Sequence, residues 1–157
     1  MNYKPILIVN GEPNSVFLEI FFKTLKIKKI KSPIILISSH KLIKLQMKKL
    51  KFFKKIKLIN YKSINFLKLN NKTINLIDVK YNTNIAFKKI SKNSNKFIYN
   101  CFEIAFKIIK KGVTNKFING PVSKKYFLNK SFLGITEFTA KKFKTNNIGM
   151  LIYNSKL

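Results

Sequence analysis

Short, continuously apolar runs alternate along this chain with longer segments in which apolar residues recur every third or fourth position. Pro5–Asn10 (PILIVN) has the length and character of a strand buried on both faces, and it runs into Gly-Glu-Pro, a tight-turn sequence. Ser15–Lys26 then sets Val16, Phe17, Ile20, Phe21 and Leu25 at helical spacing, so the opening predicts strand, turn and helix. Pro33–Ser39 (PIILISS) predicts a second buried strand. His40–Lys51, with Leu42, Ile43, Leu45, Met47 and Leu50 among lysines, predicts a second helix. Ile56–Asn60 and Ile74–Val79 read as further strands on either side of a polar, Asn- and Lys-rich stretch.

The clearest helical stripe is Phe97, Ile98, Cys101, Phe102, Ala105, Ile108 and Ile109, within Ser94–Lys111. Lys110, Lys111 and Gly112 supply a cationic last turn and a glycine stop. Phe117–Asn119 predicts a short strand, Thr136–Lys144 a short helix and Ile148–Tyr153 a final apolar strand. Strands alternating with helices imply a doubly wound, mostly parallel α/β sheet. No repeat or linker marks an internal boundary. The last predicted strand lies directly before Leu157, where a parallel sheet would continue through a crossover, so the pattern reads as a truncation or a gene fragment, with a complete small α/β protein as the alternative.

Charge adds less than its size suggests. The 157 residues carry a formal charge of +28 with only 5 acidic residues, and every basic residue is Lys. Nucleic-acid surfaces recruit the planar, bidentate guanidinium of Arg, which this chain lacks. The lysines are spread along the sequence, denser only at Lys23–Lys31 and Lys41–Lys57, and read as a solvated surface set by A/T-rich codon usage. Such a field still steers anionic small molecules. Cys101 has no partner for an internal disulfide and sits on an apolar stripe, so it reads as a core residue of a cytoplasmic protein. No apolar run has membrane-spanning length.

Against this background the scarce Gly, Pro and acidic residues gather in three segments: Gly11-Glu12-Pro13, Asn119-Gly120-Pro121-Val122-Ser123-Lys124 and Gly134-Ile135-Thr136-Glu137-Phe138. Two follow strands and one opens a helix, which is where α/β folds place ligands. Gly11, Gly120 and Gly134 allow close approach, and Glu12, Ser123 and Lys124 supply polar contacts, the last two suited to an anion. Thr136 suits an N-cap, a role compatible with an anion on the same helix end. Each segment read singly is an ordinary turn or cap. His40 has no second histidine with which to share a metal, and no Gly-x-Gly-x-x-Gly, Walker loop or catalytic triad is present.

Taken in order, the three segments resemble the amino-terminal half of the 4-hydroxythreonine-4-phosphate dehydrogenase family of pyridoxal-phosphate biosynthesis. Gly11-Glu12-Pro13-Asn14-Ser15-Val16-Phe17-Leu18-Glu19 is similar to the family's Gly-Asp-Pro-Ala-Gly-Ile-Gly-Pro-Glu, with Ser15 and Phe17 in place of its inner glycines. Asn119–Lys124 is similar to its Thr-Gly/Ala-Pro-Val/Ile-x-Lys turn, and Gly134–Phe138 to its Gly-His-Thr-Glu-Phe/Tyr segment. The resemblance implies an isocitrate/isopropylmalate dehydrogenase-like fold, incomplete here. Residues 1–157 would be its amino-terminal portion, a second subdomain beginning near residue 120.

It also implies NAD or NADP as cofactor and a divalent metal cation whose ligands lie beyond residue 157, with no metal ligand in this chain. Thr136 would contact a phosphorylated substrate, with Ile135 at the family's histidine position. The implied reaction removes hydride from the substrate carbinol and then the adjacent carboxylate. The whole protein would be a cytoplasmic homodimer, and this portion alone would be inactive. The alternatives are a related dehydrogenase-like protein with an altered substrate, and a Lys-rich nucleic-acid-binding protein; neither nucleic acid nor membrane is the expected partner.

Overall fold

The computed structural model describes residues 3–27, 29–63, 69–129, 131–151 and 153. Five parallel strands form one sheet in the order β3-β4-β2-β1-β5. They are β1 (Ile6–Val9), β2 (Ile34–Ser38), β3 (Ile56–Leu58), β4 (Ile74–Asp78) and β5 (Lys116–Asn119). The helices are α1 (Phe17–Ile27), α2 (His40–Lys49), α3 (Asn95–Lys110) and α4 (Ile135–Phe143). The register is continuous across the centre: Val9 lies opposite Ile37 on one side and Asn119 on the other.

Alternation along the strands splits the core in two. Leu7, Val9, Ile35, Ile37 and Ile77 face α3, meeting Ile98, Cys101, Phe102 and Ala105. Ile8, Ile34, Leu36, Ile74 and Leu76 face α1 and α2, meeting Leu18, Phe22, Leu42 and Ile43. Central strands covered on both faces are apolar at nearly every position, and β2, buried throughout, reads Ile-Ile-Leu-Ile before its closing Ser38. The α3-facing core is strongly aromatic, with Phe102 stacked on Phe127 and edge-on to Phe117 and Phe138. Leu128 and Phe138, from beyond β5, belong to this same core.

The predicted strands and helices form within a residue or two, with two departures. The α1 stripe is rotated: Leu18, Phe21 and Phe22 are buried, whereas Val16 and Ile20 are 61% and 55% exposed. The cause is the sheet edge. β5 is the last strand beside α1, and Ile20 borders an open apolar groove with Ile6, Ile8 and Ile118. The predicted final strand does not form either. Residues 148–151 and Tyr153 take no strand conformation, and Ile152 lies outside the described residues. These residues pair with no described strand, so apolar character alone leaves Leu151 92% exposed. No helix among the described residues is long and apolar enough to cross a membrane.

Candidate functional site

Neighbouring strands β1 and β5 send their following segments to opposite faces of the sheet: β1 leads to α1, while β5 leads to α4, on the α3 side. Such a divergence opens a crevice at the strand carboxyl ends. The two Gly-Pro bends meet there. Glu12 N donates to Pro121 O at 2.7 Å, and Gly120 N continues the ladder by donating to Val9 O. A Cβ on Gly11 would lie 2.4 Å from Pro121 O, and one on Gly120 would lie 2.2 Å from Asn10 O. These glycines therefore admit the backbone of the other bend, and Gly11 also holds φ at +67°.

Glu12 turns inward and is 3% exposed. Its Oε2 accepts from Ser94 Oγ at 2.9 Å, and its Oε1 accepts from Asn14 N and Nδ2. Asn14 Oδ1 in turn accepts from Lys88 N at 3.0 Å. The carboxylate thus ties the β1 bend to Ser94 at the start of α3, and Asn14 ties it to Lys88, consistent with the rule that buried polar groups are hydrogen-bonded.

After the second bend, Ser123 Oγ caps the one-turn π-helix Lys124–Leu128 by accepting from Tyr126 N at 3.1 Å. Lys124 projects into solvent. Asn95 Nδ2 donates to Tyr126 O at 2.7 Å, docking that turn on the start of α3.

The third segment starts α4, with one correction. Gly134, in extended conformation, is the N-cap, and Thr136 lies in the first helical turn. An extended residue immediately before Ile135 leaves Thr136 already helical, and a helical residue cannot cap. No side chain caps this helix, so the amides of its first turn receive no side-chain acceptor. α4 is fastened to α3 by Lys142, whose Nζ meets Glu103 Oε1 and the Tyr99 hydroxyl, each at 2.7 Å. The hydrogen bond from Lys142 holds the Glu103 carboxyl below its usual range, and the bond to Glu103 raises the Lys142 ammonium.

Between the end of β5 and α4 lies a groove of about 430 Å³. Its polar lining is Asn119, Thr136, Thr139, Thr145 and Asn147, and Ile135 projects among them. No charged side chain lines it. Of the residues singled out by sequence, Thr136 and Ile135 enter this groove, and Gly134 borders it as the helix cap. Gly11, Glu12, Gly120, Ser123 and Lys124 do not line it; they build the loop platform beside it. Sequence reading missed Asn119, Thr139, Thr145 and Asn147. Two carried a usable signal: Thr139 is one helical turn from Thr136, and Asn119 directly precedes Gly120. The other two arrive through the path after α4, which no local pattern foretells.

Among the described residues no three His, Cys, Asp or Glu side chains cluster to hold a metal ion. His40 opens α2, its backbone N donating to Asp78 Oδ1 at 2.7 Å.

The parallel sheet, the divergence at its carboxyl edge and the uncharged groove, in which Asn119, Thr136, Thr139 and Thr145 alternate with Phe117, Ile135, Ala140 and Phe143, define an α/β protein with an open cleft at its strand ends. The model of the pyridoxal phosphate biosynthetic protein PdxA matches residues 29–157, and the chain belongs to that family. The match includes the second and third segments and begins after the first.

Two solved structures are similar along nearly the whole chain. A 4-hydroxythreonine-4-phosphate dehydrogenase from Burkholderia phymatum has a TM-score of 0.83 at 18% identity, covering 99% of this chain and 48% of that one. The enzyme of the same name from Klebsiella pneumoniae has a TM-score of 0.82 at 18% identity, covering 98% and 49%. The chain thus spans about half the length of these structures, and at that identity the likeness establishes the fold. No curated protein sequence matches the chain.

Proposed function

We propose that this chain is the amino-terminal portion of an NAD(P)-dependent oxidoreductase that oxidises 4-phosphohydroxythreonine in pyridoxal-phosphate biosynthesis, and that it carries part of the substrate site. Family membership supports the reaction class. The observation that carries the site is the groove in which Asn119, at the second bend, faces Ile135 and Thr136 on the first turn of α4. The substrate phosphate would rest on the uncapped amides of that turn, with Thr136 and Thr139 donating hydroxyl hydrogen bonds. The lysine-rich surface would raise the local concentration of such an anion, and its pull would fade with added salt.

Among the described residues no three His, Cys, Asp or Glu side chains gather to hold a divalent metal, so such an ion would draw its ligands from elsewhere. NAD(P), the metal and the subunit contacts of a cytoplasmic homodimer would be completed by polypeptide outside these residues, with the second subdomain starting near residue 120. Bound there, a nicotinamide would supply a hydride acceptor and a metal would supply a Lewis acid. The chain's own part is to seat and orient the phosphorylated end.

Calorimetric titration of the chain with 4-phosphohydroxythreonine tests this reading. Binding is expected, weakened about tenfold or more in Thr136→Val, as loss of a hydrogen bond to a charged group implies. Equal affinity in Thr136→Val, or no binding by the parent chain, would remove the substrate-site assignment. Metal-dependent oxidation by the 157 residues alone would show that the portion is a complete enzyme. The apolar Ile135 in the groove favours a second reading, a related dehydrogenase with a less polar substrate; tighter binding of a phosphorylated alcohol lacking the neighbouring polar groups would establish it.

A further inference from the structure

Three fully buried side chains near the carboxyl ends of β1 and β2 have hydrogen-bonding atoms that no protein group satisfies. They are Asn10 (both Nδ2 and Oδ1), Ser38 (Oγ) and Gln46 (Oε1), and all three residues are 0% exposed. The sheet register brings Asn10 and Ser38 together. Val9 lies opposite Ile37, and Asn10 N extends that ladder by donating to Ile37 O at 3.2 Å. Ile8 and Leu36 face the α1/α2 core, so alternation turns Asn10 and Ser38 to that same face, side by side. Gln46 is on the buried face of α2 with Leu42, Ile43 and Met47. Its Nε2 donates to Pro13 O and Ala86 O, both at 2.8 Å, which fixes the amide orientation and ties α2 to the bend that follows Asn10.

We propose that Asn10, Ser38 and Gln46 form an internal water-binding site that joins the β1 bend to α2. The donor–acceptor inventory selects the ligand. Asn10 offers an unused donor and an unused acceptor, Gln46 an unused acceptor, and Ser38 a hydroxyl that serves as either. A cation would leave the Asn10 amide hydrogens unmatched, and an anion would face two carbonyl oxygens. Water alone donates twice and accepts twice, and buried waters typically make about three such bonds. The site lies outside the substrate groove, and its bonds steady the segment from which Gly11 meets Pro121.

Two measurements test the site. Ser38→Ala removes the hydroxyl with almost no change of volume. If that oxygen bonds water, the midpoint of thermal unfolding falls by about 2–5 °C, the shift expected from losing one net hydrogen bond in a chain of this size. If the site is dry, deleting an unsatisfied buried oxygen leaves the midpoint unchanged or raises it, and the proposal fails. A high-resolution crystal structure of the unmodified protein supplies the second readout, whether or not the variant folds. Water density within hydrogen-bonding distance of at least two of the three side chains is expected. Direct bonds among them, or no density, would overturn the assignment.

Discussion

The four glycines Gly11, Gly112, Gly120 and Gly149 form a graded series in which backbone conformation and close contact separate. Gly112 holds φ at +72° with nothing within 4 Å of the point where a methyl group would sit, and Gly149 has neither constraint. Gly120 has contact without positive φ: its Cβ would sit 2.2 Å from Asn10 O and 2.9 Å from Phe17 Cγ. Gly11 has both, with φ +67° and Pro121 O at 2.4 Å.

Alanine at Gly112 should cost about 0.5–1.5 kcal/mol, the left-handed penalty less the reduced freedom of the unfolded chain. At Gly120 the obstructing atoms include the backbone of Asn10, just after β1, which cannot rotate away, so overpacking should cost about 3 kcal/mol. Gly11→Ala adds conformation to contact, giving about 3–5 kcal/mol, a large share of a typical total of about 5–15 kcal/mol. Gly149→Ala should fall within about 0.5 kcal/mol of the parent.

Urea unfolding at constant slope measures all four. The expected order of stability is Gly149→Ala, Gly112→Ala, Gly120→Ala, Gly11→Ala. Because Gly11 and Gly120 touch across one interface, the double variant should lose less than the two single losses combined. A Gly120→Ala protein as stable as Gly149→Ala would refute the reasoning, since the two bends could not then be in backbone contact.

Two further outcomes follow. Ile135→His should strengthen binding of 4-phosphohydroxythreonine about tenfold near pH 6, where the imidazolium can donate to phosphate, and less at pH 8; calorimetry at both values checks it. Burial first, and Asp78 second, push the Cys101 thiol well above its usual range, so the folded chain keeps it protonated. Its stabilising contribution is whole below the ordinary thiol range and is lost as pH rises, because the unfolded chain ionises first. The stability difference between the parent and Cys101→Ala should therefore narrow above that range by at most about 1.4 kcal/mol per pH unit. A constant difference would show that the thiol is not sequestered, and so would native-state alkylation faster than global unfolding.

How much of this was legible beforehand depended on how local each feature is. The apolar run before Gly11, the stripe through Phe97 and Ile108, and the Lys110-Lys111-Gly112 stop each report conformation through neighbours a few residues away, and all were readable. The three segments could likewise be picked out as the places where scarce residues collect. Their division of labour could not. That Gly11 and Gly120 admit each other's backbone, that Glu12 turns inward to Ser94, and that Thr136 shares a groove with Asn119 are facts about segments far apart in sequence. Strand order decides them, by laying β5 against β1 and sending α1 and α4 to opposite faces. Periodicity also cannot say which apolar positions find a covering layer, so Ile20, at the sheet's edge, and Ile148, Met150 and Leu151 read as buried yet lie exposed. The sequence by itself determined which segments could be strand, helix or turn, because those preferences act over a few bonds. Only the tertiary structure decided which polar groups face a ligand and which are consumed holding the loops together, because that choice rests on contacts between residues up to about a hundred positions apart.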